Sequence, residues 1–269
     1  MQTGRWRRRL RRFMYVLLFL LAFWTVAVQY GCLAMRTPDA EWSAKLREKS
    51  QALAPVFHDV PSPTGRTVHA VSISASDTLP LVAFVHGSPG SADAFSAYLA
   101  DTMLSCSTRM VSIDRPGFGY TDFGKPEVSL ARQAEDMEAV LSLISPDKKV
   151  ILVGHSMGGP VIARTAIDHP ERVAGLIFVA GSIDPAQEEH PWWQTAVDNP
   201  PLCWLTPVSL WTSNREIRYL EAELAQMLPE WEKIRCPVTI IHAYNDRLVP
   251  YANVDFAKRM LVNSPRLNV

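Results

Sequence analysis

The run Gly154-His155-Ser156-Met157-Gly158 sets a hydroxyl between glycines two residues before and two residues after it. A serine hydroxyl becomes a nucleophile when a neighbouring base takes its proton, and its ordinary reaction is acyl transfer. That chemistry needs the oxygen lifted clear of the backbone. Val150-Ile151-Leu152-Val153 before the run suits a buried strand, and Pro160 to His169 after it suits a helix. A serine on so sharp a strand-to-helix bend takes a strained backbone, and side chains at the flanking glycine positions would strike the strand and the helix. Gly-x-Ser-x-Gly alone is weak, since a helix-cap serine gives the same letters. Between a strand and a helix it predicts a nucleophile elbow.

The elements around it alternate. Val56–Val60 and Thr67–Ser74 suit an opening antiparallel pair, with strands at Leu81–Val85, Arg109–Asp114, Val173–Ala180 and Val238–Ala243. Amphipathic helices are expected over Glu127–Ile144 and near Asn253–Val262, and Arg266–Val269 begins to look like a further strand. The alternation predicts an α/β fold, a mainly parallel doubly wound sheet with helices on both faces. Residues 181–234 interrupt it with five of the eight tryptophans, Trp192, Trp193, Trp204, Trp211 and Trp231, and a helical pattern over Asn214–Leu228. A long insertion after a sheet strand reads as a small helical cap roofing a pocket. Taken one at a time, its tryptophans are expected to pack the cap onto the body.

Three more motifs follow in order: His86-Gly87-Ser88-Pro89-Gly90 after a strand, Asp114-Arg115-Pro116-Gly117-Phe118-Gly119, and Asn245-Asp246-Arg247-Leu248-Val249-Pro250 after a late strand. With the elbow, they make the chain resemble the α/β-hydrolase superfamily over roughly residues 56–269, in its serine esterase-like, capped form. The resemblance implies Ser156 as nucleophile. The amides of Met157 and Ser88 become the oxyanion hole, since Pro89 has no N–H. It implies Asp246 as the triad acid, with Asp184 as the weaker alternative. His86 and Asp114 are expected to be structural, and His155 to order the elbow by hydrogen bonding.

The superfamily takes its base from a histidine after the last strand, following the acid. The seven histidines are His58, His69, His86, His155, His169, His190 and His242, and none follows Asp246. The expectation is a chain truncated at its carboxy end, with the last strand and histidine loop missing, so that this chain itself is inactive. Recruitment of His190 or His242 as base and a non-catalytic, membrane-tethered binding protein are the alternatives. The implied reaction is hydrolysis of a small, uncharged, hydrophobic ester through an acyl-enzyme. C–C bond hydrolysis and transfer to an acceptor other than water use the same residues. A serine at the elbow disfavours epoxide hydrolases and dehalogenases, which place an aspartate there. No cofactor and no metal are expected, since phosphate-loop, dinucleotide and metal-ligand patterns are missing.

The amino end differs from the rest. Arg5, Arg7, Arg8, Arg9, Arg11 and Arg12 precede Phe13–Met35, which is free of charge. As a helix, these 23 residues rise about 34 Å, enough for a hydrocarbon core of about 30 Å. Residues 1–35 are expected to be a single-pass anchor with its arginines cytoplasmic and the body across the membrane. A lipoprotein linked through Cys32 and a cleaved signal peptide are the alternatives. Residues 36–55, helical from Asp39 to Leu53, are expected to connect membrane and body. Without the six arginines, 21 basic residues remain against 27 acidic ones, a net of −6 that gives no electrostatic basis for nucleic-acid binding. The four cysteines read as isolated thiols, with a Cys203–Cys236 disulfide as the alternative outside the cytoplasm.

Overall fold

The computed structural model describes residues 3–30, 35–50 and 53–269. Two helices lead the chain, α1 (Thr3–Tyr30) and α2 (Asp39–Ser50). The strands are β1 (Val56–Pro61), β2 (Thr67–Ile73), β3 (Leu81–Val85), β4 (Arg109–Ile113), β5 (Val150–His155), β6 (Val173–Val179), β7 (Val238–Ile241) and β8 (Leu267–Asn268). Between β3 and β4 lie α3 (Ser96–Leu99) and α4 (Thr102–Ser107). Then α5 (Leu130–Ile144) precedes β5, and α6 (Gly158–Asp168) follows it. The insertion after β6 carries α7 (Trp192–Val197), α8 (Leu202–Leu205) and α9 (Val208–Met227), and α10 (Ala252–Met260) separates β7 from β8.

The strands form one sheet in the order β1-β2-β4-β3-β5-β6-β7-β8. The pairs β1/β2 and β2/β4 are antiparallel and all others parallel, so β4, β3, β5, β6 and β7 end on one common edge. A strand beyond β7, expected to be missing, is present: Leu267 and Asn268 pair with Val238 and Thr239. Side chains alternate across the sheet. Leu81, Ala83, Val85, Val111, Ile113 and Leu152 join one core with α5, α6, α9 and α10. Val71, Ile73, Phe84, Met110 and Val153 join a second with α2, α3 and α4. On that second face an apolar groove of about 450 Å³ stays open over Val153, Ile177, Val179 and Ile241.

The amino-terminal helix begins at Thr3, just before the arginine cluster, and its residues Arg5–Ala27 form a span of mean hydropathy 1.6, none of it buried. It ends at Tyr30 rather than reaching Met35, so its uncharged part rises about 27 Å. Cys32 lies outside the described residues. Cys203 and Cys236 are free thiols, without the alternative disulfide.

The connecting helix is more than a spacer. Trp42 and Leu46 on α2 are buried in the second core. At its start, His69 Nδ1–H on β2 donates to Asp114 Oδ2 at 2.8 Å, while its Nε2 lies 3.4 Å from Asp39 Oδ2. Burial lowers the pKa of His69, but the hydrogen bond and charge of Asp114, with Asp39 and Asp59, outweigh it and raise the value above normal. The neighbouring imidazole of His58, half-buried itself, is pushed down by lost water and by His69. A raised folded-state pKa means that this contribution is complete below the ordinary histidine value and fades as pH rises through the folded one. The H69Q variant is therefore expected to melt below the parent by a gap that is widest near about pH 6 and narrows toward about pH 8. A gap that does not change with pH would contradict this origin.

Candidate active site

Ser156 follows the last residue of β5 at φ +50°, a left-handed conformation that a non-glycine residue holds only where its surroundings impose it. They impose it through hydrogen bonds: Ser156 N–H donates to Val179 O at 2.9 Å, and Ser156 O accepts from Gly159 N–H at 2.9 Å and Ser182 N–H at 3.3 Å. The flanking glycines are required by contact. A Cβ on Gly154 would lie 2.5 Å from Gly158 O, and one on Gly158 would lie 2.2 Å from Val85 O. Both obstacles are backbone and cannot turn aside. The elbow is thus wedged against the end of β3.

The loop after β3 closes over it. A Cβ on Gly87 would lie 3.0 Å from Ser156 Cβ, so the His86–Gly90 turn touches the serine. Met157 is buried at the amino end of α6, where the helix dipole favours negative charge. Among the described residues, neither the Ser88 N–H nor the Met157 N–H donates to a protein acceptor. The Ser88 hydroxyl is also buried without a partner. The two amides without a protein acceptor thus belong to the loop that touches Ser156 and to the residue that follows it.

Arg115 fixes that loop. It is buried, and all five of its guanidinium N–H groups have acceptors. Nε donates to His86 O at 2.8 Å, and Nη2 to Gly87 O at 3.1 Å. Nη1 donates to Gln133 Oε1 at 3.1 Å, and the fork grips both oxygens of Glu216 on α9 at 2.7 and 2.8 Å. The two loop carbonyls are thereby turned to Arg115. Glu216 is the functional residue the sequence reading missed, although an acid at position 216 in register with Leu220 and Leu224 on a core-facing helix stripe was a signal.

His86 is structural, as expected. Its Nε2 accepts the Arg115 backbone N–H at 3.0 Å and its Nδ1–H donates to Gly87 O at 2.7 Å. Burial first, then Arg115, push its pKa well below normal, so it is neutral. Asp114 holds its turn by accepting from Ala92 N–H at 2.6 Å and Tyr120 N–H at 2.9 Å. His155 departs from expectation. It makes no hydrogen bond among the described residues, and its side chain lines the apolar groove, which Ser156 does not.

Asp246 lies on the loop after β7. Its Oδ1 accepts from Leu248 N–H at 2.9 Å and Val249 N–H at 3.0 Å. The Val249 amide first, then Leu248 and the nearby imidazoles, hold its carboxyl below the usual value. Asp184 instead caps Ala186 N–H at 3.0 Å and is buried. The recruited-base alternatives are bonded elsewhere. His242 Nε2–H donates to Val249 O at 2.8 Å, and His190 pairs with Glu221 at 2.6 Å. His58 is bonded to Ser72, His69 to Asp114, and His169 lies 3.9 Å from Glu171. Among the described residues there is no cluster able to hold a metal ion.

The cap forms as expected, with Leu220, Leu224 and Met227 buried against the body. Asn214 and Arg218 of α9 clasp Asp198 at 3.0 and 2.6 Å, holding α7 to α9. Its tryptophans do not all pack inward. Trp231 is buried, whereas Trp192 is 82% and Trp204 65% exposed.

Comparison with known proteins agrees with this geometry. The family model described as the alpha/beta hydrolase fold matches residues 80–228. A pimeloyl-[acyl-carrier protein] methyl ester esterase of Proteus mirabilis is 36% identical over 34% of this chain and 33% of its own length. A 1-acylglycerol-3-phosphate O-acyltransferase of Arabidopsis thaliana is 31% identical over 55% of this chain and 36% of its own. The chain thus spans about a third of the length of these curated relatives. Among solved structures, an esterase from Exiguobacterium antarcticum superposes with a TM-score of 0.59 at 18% identity, covering 80% of this chain and 91% of that one. A membrane phospholipase A described as a bacterial virulence factor gives 0.59 at 19%, covering 96% and 90%. At such identities the likeness is one of fold.

The Arg115–Glu216 pair yields a measurable expectation. Replacing one partner strands a buried charge, which costs about 3–5 kcal/mol. E216A is expected to lower unfolding stability by that amount in urea titration, and the doubly apolar R115M/E216L variant to recover part of it. Equal stability of E216A and the parent would show that the pair does not hold the loop.

Proposed function

The chain belongs to the α/β-hydrolase fold family, and from that premise we propose that it is a serine hydrolase of small, uncharged, hydrophobic carboxylic esters. The observation that carries this reading is the strained Ser156 with the unpartnered amides of Ser88 and Met157 beside it. In the proposed reaction Ser156 Oγ attacks the ester carbonyl as a base takes its proton. The carbonyl oxygen becomes an oxyanion held by the two amides. The alcohol leaves with that proton, and water then releases the acid from the acyl-enzyme. Asp246 orients the base. All seven histidines are engaged elsewhere or, like His155, turned toward the groove, so none of them is assigned as the base. The similarity to the Arabidopsis acyltransferase favours one second reading, transfer of the acyl group to an alcohol instead of water.

A fluorophosphonate probe tests the nucleophile. It is expected to modify Ser156 in the full-length protein and to leave S156A unlabelled. A full-length protein that takes no label at Ser156 would be a binding protein instead.

We further propose that α1 anchors the protein as a single-pass helix with the body on the non-cytoplasmic side. The apolar, unburied span Arg5–Ala27 with arginines on its amino side supports this. Carbonate washing of membranes should leave the intact protein in the pellet, and its release into the supernatant would count against the anchor.

A further inference from the structure

We infer that the sheet edge bearing Ser156 faces the lipid bilayer, that the exposed cap tryptophans sit in the bilayer's interfacial layer, and that the ester substrate is a membrane-resident one drawn from that layer. This rests on the hydrolase and anchor readings above and adds a docking surface and a source of substrate.

The argument begins with how the chain enters the body. Residues 35–37 are bound to the loops after β3 and β4. Met35 O accepts from Ser91 Oγ at 2.8 Å, Arg36 Nη1 donates to Gly119 O at 2.7 Å, and Thr37 Oγ1 donates to Asp93 Oδ2 at 2.5 Å. The Arg36 guanidinium also lies over the Tyr120 and Phe123 rings at 4.6 and 4.9 Å. Both loops leave the ends of parallel strands on the edge where β5 delivers Ser156. The attachment is fixed, because α2 immediately after it buries Trp42 and Leu46.

Length then decides orientation. Five Cα steps from Tyr30 to Met35 reach at most about 19 Å. A body of this size is roughly 45 Å across, by the scaling of radius with length. An anchor that short, tied to the catalytic edge, keeps that edge on the membrane side.

The cap crowns the same edge, since it is inserted after β6 and held through Glu216 to Arg115. Its short outer helices expose Trp192 at 82%, Trp193 at 49% and Trp204 at 65%, with Leu202 and Leu205 beside them. Tryptophans with apolar bodies and one polar N–H favour the headgroup boundary of a bilayer. An exposed apolar patch this close to a membrane anchor therefore has the bilayer interface as its partner.

The test uses the full chain carrying W6F and W24F, which silences the fluorescence of α1, reconstituted in phosphatidylcholine vesicles with and without bromine on the acyl chains. Bromine is expected to quench the remaining tryptophan emission, and adding W192F, W193F and W204F to remove most of that loss. Circular dichroism checks that the fold is kept. No quenching in the parent, or quenching that survives the three cap substitutions, would overturn the proposal. The readout needs no turnover, so its failure leaves the hydrolase reading standing, and a failed fluorophosphonate reaction leaves this surface standing.

Discussion

A buried guanidinium is tolerable only when every N–H finds an acceptor, and Arg115 meets that condition by drawing four separate parts of the chain together. His86 and Gly87 supply carbonyls, α5 supplies Gln133, and α9 supplies a bidentate Glu216. Each acceptor given to Arg115 is one withdrawn from the local network. With the carbonyls of the β3 loop committed to the guanidinium, the amide that follows them is left without an intramolecular partner. The proposed oxyanion pocket is in this sense the complement of a charge-satisfaction problem solved behind it. A lysine in place of Arg115 would offer three donors from one point and could not bridge the same acceptors.

The elbow works by the same logic of imposed geometry. Ser156 occupies its strained φ because β5 and α6 meet within contact distance of the end of β3, and only glycine fits at positions 154 and 158. The backbone bonds to Val179, Gly159 and Ser182 then close the remaining freedom. The strain at one residue is carried by the parallel pairing of three central strands, which is why the nucleophile sits at the centre of the sheet and not at its margin.

What the sequence made legible were features encoded locally. The elbow, the mainly parallel sheet implied by alternation, the cap and the Asp246 loop all follow from short runs of residues whose spacing has one physical solution. What it hid were consequences of distant contact. Nothing near position 216 says that its carboxylate meets residue 115, although an acid on a core-facing stripe asks for a cation. The tryptophans of the cap read as packing residues because burial is their common use, and only the fold shows that Trp192 and Trp204 lie outside while Trp231 lies within. Likewise α2 is polar in composition, so its role as a body helix rests on two residues, Trp42 and Leu46, whose partners are distant in sequence.

Asp246 shows how the backbone of one loop can orient a single carboxylate. One carboxylate oxygen is fixed by two backbone amides, which lowers the pKa and favours the ionised form. The other oxygen comes only within 3.9 Å of His242, whose Nε2–H is already given to Val249 O. A carboxylate with one oxygen clamped and the other unspent is an oriented acceptor. In the proposed reaction it needs only an imidazole N–H to complete it. Ser156 and Asp246 are thus held by backbone contacts, and the Ser88 loop by the Arg115 guanidinium behind it.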